Sequence, residues 1–316
     1  MLPIADRAML EHIMEWLRRQ QTQGSQLIDR AVLSMGYKPD AIVEAYPQGV
    51  CAEMPFECVV EPEPLGTAGA IAFGAAQAQI TETFLAMNGD ILCDFSCQQL
   101  LETHRRNHAL ATIALTEAAD PSRFGVVETT ASGLVERFIE KPSPDESPSK
   151  WINAGIYILE PSVLADLPEG QNISIEREVF PRLAAEGLLY AHQFRGEWID
   201  AGTPEAFLRA QFSKAGLAAP QDDCEPSQIY RHPEAVVASQ AAVSHSVLMA
   251  GVQVQDNATV ERSVLLPGCV IETGAAVRDS IVGRAAVVGH DAVVENLSVV
   301  SGTVGAGQRL NGSRYS

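Results

Sequence analysis

The sequence predicts an α/β domain on a mainly parallel sheet, followed by a parallel β-helix. Three observations point there. Helix-period and strand-period segments alternate through the first two-thirds of the chain. Short turns carrying glycine, aspartate or lysine follow the predicted strands. The tail repeats itself every 17 residues. At 316 residues the chain is long enough for two domains.

A first helix is expected after Asp6, its cap, with Met9, Leu10, Ile13, Met14 and Leu17 on one face. Residues 56–60 read as a strand, 68–80 as a small-residue helix, and 84–87 as a buried strand. A helix over 96–108 turns Leu100 and Leu101 inward. Strand signals follow at 111–115, 125–127, 134–139 and 152–159, with helices over 161–167 and 175–185. Such alternation implies a mainly parallel sheet with helices on both faces. Around 212–236 no period is visible, and the stretch reads as a linker. The expected division is a first domain over 1–212, a linker over 213–240 and a coil over 241–316.

The tail aligns as blocks beginning at Ser246, Ser263 and Ser280. Val254, Ile271 and Val288 fall in one column, Val260, Val277 and Val294 in another, and Ala258, Ala275 and Ala292 in a third. Ile281, Val287, Val293 and Val299 recur every six residues. Hexads suit a solenoid with three short strands per coil, an aliphatic side chain inward on each flat face and small residues at the corners. Hairpin strands would show period two.

A net charge of −18 argues against a nucleic-acid partner, since phosphate backbones select basic surfaces. It leaves room for an anionic small substrate, because a local lysine and a metal reverse the sign inside a cleft. The six cysteines, Cys51, Cys58, Cys93, Cys97, Cys224 and Cys269, have no framework spacing and read as free thiols of a reducing cytoplasm. No apolar run is long enough to span a membrane, and the start lacks the pattern of a signal peptide.

Four stretches carry the chemistry. Pro64-Leu65-Gly66-Thr67 links a strand to a helix, where glycine lets the backbone approach a planar ligand and the helix start offers N–H groups. Asn88-Gly89-Asp90 follows the strand at 84–87; an aspartate at a strand's carboxyl end is a natural magnesium ligand. Glu140-Lys141-Pro142 ends another strand, offering a point charge for phosphate and an acceptor for hydroxyls. Asn153-Ala154-Gly155 could add an amide, and Asp200, before Gly202-Thr203, a second metal carboxylate. Each alone also reads as an ordinary turn. His104 and His108, four apart on a charged helix, read as a solvated face.

In this order the motifs resemble the sugar-phosphate nucleotidylyltransferases, and among them the mannose-1-phosphate guanylyltransferases. The resemblance runs from residue 2 to about residue 208. Its pieces are the runs at 63–69, 88–95, 124–127, 137–142, 152–157 and 174–181, the last being Ser-Ile-Glu-Arg-Glu-Val-Phe-Pro. It implies the nucleotide-diphospho-sugar transferase fold, a Rossmann-like mixed, mainly parallel sheet, with a left-handed parallel β-helix behind it. By resemblance, Asp90 and Asp200 hold Mg2+, and Asp90, Lys141 and Asp200 are catalytic. Pro64, Leu65, Gly66, Thr67, Asn88 and Gly89 hold the nucleotide. Gly125, Glu140, Lys141, Asn153 and Gly155 surround the sugar phosphate. The implied partners are a nucleoside triphosphate and a sugar 1-phosphate, and the implied reaction is in-line attack on the α-phosphorus of GTP with release of pyrophosphate.

The family also begins with a strand and a Gly-x-Gly-Thr-Arg loop ahead of the segment matching Leu2-Pro3-Ile4. This sequence starts after them, so an upstream start or a fragment is expected, with activity doubtful for a chain starting at Met1. Other readings are a different nucleotide-sugar pyrophosphorylase, using glucose 1-phosphate with UTP or dTTP, or a non-catalytic nucleotide-sugar sensor. A coil histidine, His245 or His290, would be the base if the tail were an acyltransferase, a reading from fold analogy. Aliphatic coil edges suggest a homo-oligomer.

Overall fold

A computed structural model describes residues 3–22, 24–143, 149–218, 228–312 and 314–315. Cys224 and residues 219–227 of the expected linker lie outside them. The chain divides into two compact units: residues 10–198, and residues 199–316 together with 2–9.

Helix α1 (Met9–Arg18) starts later than expected, because Asp6 stands in a tight turn between the paired strands Pro3–Ile4 and Arg7–Ala8. A hairpin there uses the backbone groups that a helix would need. Strands β1 (Ala31–Met35) and β2 (Met54–Val60) pair in parallel, and α2 (Gly66–Gln77) follows. The main sheet contains β3 (Phe84–Met87), β4 (Ala111–Glu117), β5 (Gly125–Thr129), β6 (Val135–Glu140), β7 (Trp151–Leu159) and β8 (Leu189–Gln193). Its order is β6-β5-β7-β4-β8, with β3 also on β7. The sheet is mixed: β3, β4, β5 and β8 share one direction, and β7 and β6 oppose it.

β7 is the central strand, and its buried run Ala154–Leu159 explains why its sequence is nearly all apolar. Alternate residues serve opposite faces. Ile113, Leu115, Tyr157 and Leu159 join Phe180 and Leu183 of α4 (Phe180–Ala185) on one side. Ala114, Ala154, Ile156 and Ile158 meet Leu100 and Leu101 of α3 (Cys97–Arg106) on the other. Helices therefore cover both faces. α3 is capped by Ser96, whose Oγ accepts from the Gln99 amide. The helix expected over 175–185 opens with a π-turn, Ile175–Val179, because Pro181 lacks the amide that would bond back to Arg177.

His104 does not face solvent. It is buried, with Nδ1 2.9 Å from Thr112 Oγ1 and Nε2 3.0 Å from Glu160 Oε1; only His108 is exposed. Burial pushes the Glu160 carboxyl up, but its bonds from Thr83 and His104 outweigh that and hold it below the ordinary range.

In the second unit, α5 (Pro204–Lys214) is capped by Thr203, and the coil follows. Three parallel ladders form about five coils, the first beginning with Ile229–Arg231, inside the stretch expected as linker. Val254, Ile271 and Val288 point into the coil, as do Val260, Val277 and Val294. The hexad Ile281, Val287, Val293 and Val299 does not: the inward residues are their successors Val282, Val288, Val294 and Val300. Adjacent aliphatic columns share the spacing of six, and strand alternation sends one of them outward.

Serines stack along one edge. The Ser263 amide donates to Ser246 Oγ, and the Ser280 amide to Ser263 Oγ, each at 3.1 Å. The corners adopt left-handed backbone, at His245, Arg262 and Asp279 in one column and Asn257, Gly274 and Asp291 in another. After Ser280 the next buried serine is Ser298; Asn296 and Leu297, both left-handed, take up the extra residue while the ladders keep register. His245 is 3% exposed and donates from Nε2 to the Ala218 carbonyl, so it is no accessible base. His290 is exposed beside Asp291. Among the described residues no helix is long and apolar enough to cross a membrane.

Candidate functional site

β4 pairs with β7 along its length, so β3 and β5 must share the opposite edge of β7. They do so end to end. β3 finishes with Met87 opposite Ile156, and β5 resumes with Val126 opposite Ile152. Between them is a break in the sheet, faced by Asn153, Ala154 and Gly155. The break lies beyond the carboxyl end of β3, and open α/β sheets take ligands outside the carboxyl ends of their strands.

The edge of β7 is itself distorted there. Ile113 pairs with Tyr157 but Leu115 with Asn153, so a bulge occupies the intervening residues. Gly155 adopts φ +70°, its amide donates to Asn153 Oδ1 at 2.9 Å, and its carbonyl accepts from the Asn88 amide at 2.9 Å. A Cβ on Gly155 would lie 2.8 Å from Asn88 Nδ2, so only glycine lets the two segments close. Asn153 Nδ2 donates to the buried Tyr157 hydroxyl at 3.0 Å.

The other residues gather around this break. Gly125 opens β5 opposite Glu140, and the Lys141 amide donates to the Phe124 carbonyl at 3.0 Å. Lys141 is exposed, with left-handed backbone at φ +51°. Gly89 and Asp90 lie exposed in the turn beyond Asn88.

Glu176, which the sequence reading did not single out, stands in the same place. Its Oε2 accepts from Thr67 Oγ1 at 2.7 Å and Ser174 Oγ at 2.8 Å, and it lies near Tyr157. Burial pushes the Glu140 carboxyl above its ordinary value; the nearby charge of Glu176 adds to this, and Lys141 and Arg177 oppose it. Burial likewise drives the Tyr157 hydroxyl up. Glu176 stands in the run at 174–181, which the resemblance includes without giving it a role, and Ser174 caps that run: its Oγ accepts from the Arg177 amide and starts the π-turn.

The turn at 64–67 departs from expectation. The amides of Ala68 and Gly69 both donate to the Ile173 carbonyl, so they are not open to a ligand. Gly66 has φ +69°, and a Cβ there would lie 2.6 Å from the same carbonyl. Its glycine serves the packing of residues 172–173. Leu65 is buried, Pro64 is exposed and takes a bond from Asn172, and Thr67 reaches the site through Glu176.

Asp200 belongs to the second unit, where its Oδ1 accepts from the Gly202 amide at 3.0 Å. Among the described residues no three His, Cys, Asp or Glu side chains gather into a metal cage. A magnesium-type cation asks for less: hard oxygens, of which one or two are carboxylates and others come from substrate phosphates. An exposed aspartate in an open turn fits that donor set.

The break, between the carboxyl end of β3 and the start of β5, is ringed by a lysine, carboxylates and amides, groups whose chemistry suits a phosphorylated small molecule. The nucleotidyl transferase family model matches residues 1–215, and the GMPPB C-terminal domain matches residues 226–311. The chain belongs to the nucleotidyl transferase family. A mannose-1-phosphate guanylyltransferase of Mycobacterium tuberculosis is 36% identical over 253 residues, covering 79% of this chain and 67% of that protein. A mannose-1-phosphate guanyltransferase of Yarrowia lipolytica is 40% identical over 182 residues, covering 56% of this chain and 49% of that one. The chain thus spans about half to two-thirds of these relatives. Among solved structures, HddC from Yersinia pseudotuberculosis complexed with GMP-PN matches with TM-score 0.57 and 27% identity, over 68% of this chain and 88% of that one.

Proposed function

We propose that the chain carries the site for transfer of a guanylyl group from GTP to mannose 1-phosphate, giving GDP-mannose and pyrophosphate. The observation behind this is the break between β3 and β5, which gathers Asn88, Gly125, Glu140, Lys141, Asn153 and Gly155. The names of the curated relatives support guanine and mannose and do not favour glucose 1-phosphate with UTP or dTTP.

In this reading the Lys141 ammonium offsets the charge of the sugar phosphate, whose oxygen attacks the α-phosphorus as pyrophosphate leaves. Glu140 and Glu176 accept from sugar hydroxyls, and Asn153 and Gly155 fix the ring between them. Pro64, Leu65, Gly66, Thr67, Asn88 and Gly89 form the nucleotide side, through backbone and Thr67 rather than the helix amides. Asp90 is assigned to a divalent cation, Mg2+, which would supply charge to the phosphate oxygens when bound. Catalysis of this kind rests on positioning and charge. The cysteine spacing supports a cytoplasmic setting.

The test is a rate assay of the full chain across four nucleotides and both sugar phosphates. GTP with mannose 1-phosphate should give the highest kcat/KM, and Lys141→Ala should lower it about 10²–10³-fold. A preference for UTP or dTTP would overturn the assignment.

A further inference from the structure

Trp198 touches both walls of the break without belonging to either. Its indole Nε1 donates to the Ala154 carbonyl at 2.9 Å. Ala154 is the residue of the bulge between Asn153 and Gly155, so this bond pins the bulge from outside. Its ring meets Phe124 edge-on, with centroids 5.5 Å apart and planes at 75°. Phe124 in turn supplies the carbonyl that holds the Lys141 amide and leads directly into Gly125. One partly buried side chain therefore bears on the segment carrying Asn153 and on the one carrying Lys141.

We propose that Trp198 is a positioning residue for the sugar-phosphate half of the site, fixing the spacing between Asn153 and Lys141. This rests on the sugar-phosphate reading of the break. The physical case is that neither wall is held by a continuous ladder at this point. β7 is bulged, and β5 meets it through the single pair of Val126 with Ile152. An indole wedged between the walls replaces the missing ladder with one hydrogen bond and one ring contact. Residues 64–67 of the nucleotide side are held elsewhere, by the amides of Ala68 and Gly69 on the Ile173 carbonyl, while Asn88 leans on the bulge through Gly155. Loss of Trp198 should therefore be felt unequally by the two substrates.

The experiment is calorimetric titration of wild type and Trp198→Phe with mannose 1-phosphate and, separately, with GTP, in the presence of Mg2+. Phenylalanine keeps most of the ring and removes the donor. Its Kd for mannose 1-phosphate should rise about three- to tenfold, the usual worth of one hydrogen bond, while that for GTP stays within about twofold. Phe124→Leu, which leaves the donor in place, should shift the sugar phosphate in the same direction by less. Thermal unfolding of both variants checks that they fold. Equal weakening of both ligands, or an unchanged Kd for mannose 1-phosphate, would overturn the role. Wild-type protein that binds no sugar 1-phosphate would instead remove the parent reading, a result separate from an unaffected Trp198→Phe.

Discussion

Gly155 is the residue on which the site's geometry turns, since the Asn88 amide group occupies the space its side chain would need. Gly155→Ala should cost about 1–3 kcal/mol of stability, from left-handed backbone and displacement of Asn88, measurable by urea unfolding. It should also lower kcat/KM. Glu140 makes the opposite trade. Its carboxyl binds a proton more tightly in the folded state, so the stability it contributes is present below its unfolded value and lost as pH rises through the folded one. Glu140→Gln should therefore raise Tm at neutral pH and leave it unchanged in acid, while weakening the sugar phosphate. An equal Tm shift at both pH values would contradict this. Sequence made Glu140, Asn153 and Asn88 visible because each stands in a short motif at a strand end. Glu176 stood in the resembling run at 174–181, but its role was hidden, because its partner Thr67 is 109 residues away and only folding joins them. Gly66 was recognised as a required glycine, but what crowds it is a carbonyl of residue 173, which no local pattern announces.

Among elements, the strands were legible wherever apolar residues ran together or alternated, and β3 and β7 fell where the pattern put them. Sheet direction was less so: alternation of helix and strand suggests parallel neighbours, while β7 enters between them running the other way. The coil shows the same limit at finer scale. Period six located the strands, and two adjacent aliphatic columns concealed which one faced inward. The serine stack was visible as a column but not as a bond. Ser263→Ala should leave the Ser280 amide buried without its acceptor, costing about 1–3 kcal/mol. Urea unfolding checks it, and exchange of the Ser280 amide should quicken. An unchanged midpoint would show that the stack is incidental.

For the molecule as a whole, the sheet cores and the coil core are distinct clusters in two compact units. Scanning calorimetry should accordingly resolve two transitions. The sugar-phosphate and nucleotide residues other than Asp200 lie in the first unit. GTP alone at about a hundred times Kd should raise the transition of that unit by about 2.7 kcal/mol of stability. A single transition, or a shift confined to the coil, would contradict this. The expected homo-oligomer belongs to the same scale, and light scattering of the full chain reads it directly. The change of period near residue 212 marks where sheet gives way to solenoid in the sequence, whereas the compact units divide after residue 198.

The left-handed corners of the coil carry a practical consequence. At Asn296 and Leu297 the turn has already accepted a longer path, and the strands on either side have not slipped. Corners are thus the places where foreign peptides could be spliced into this protein, as rungs of a ladder stay put when a bracket between them is lengthened. A short epitope grafted there would be displayed on a rigid edge, with the stacked strands serving as its mount.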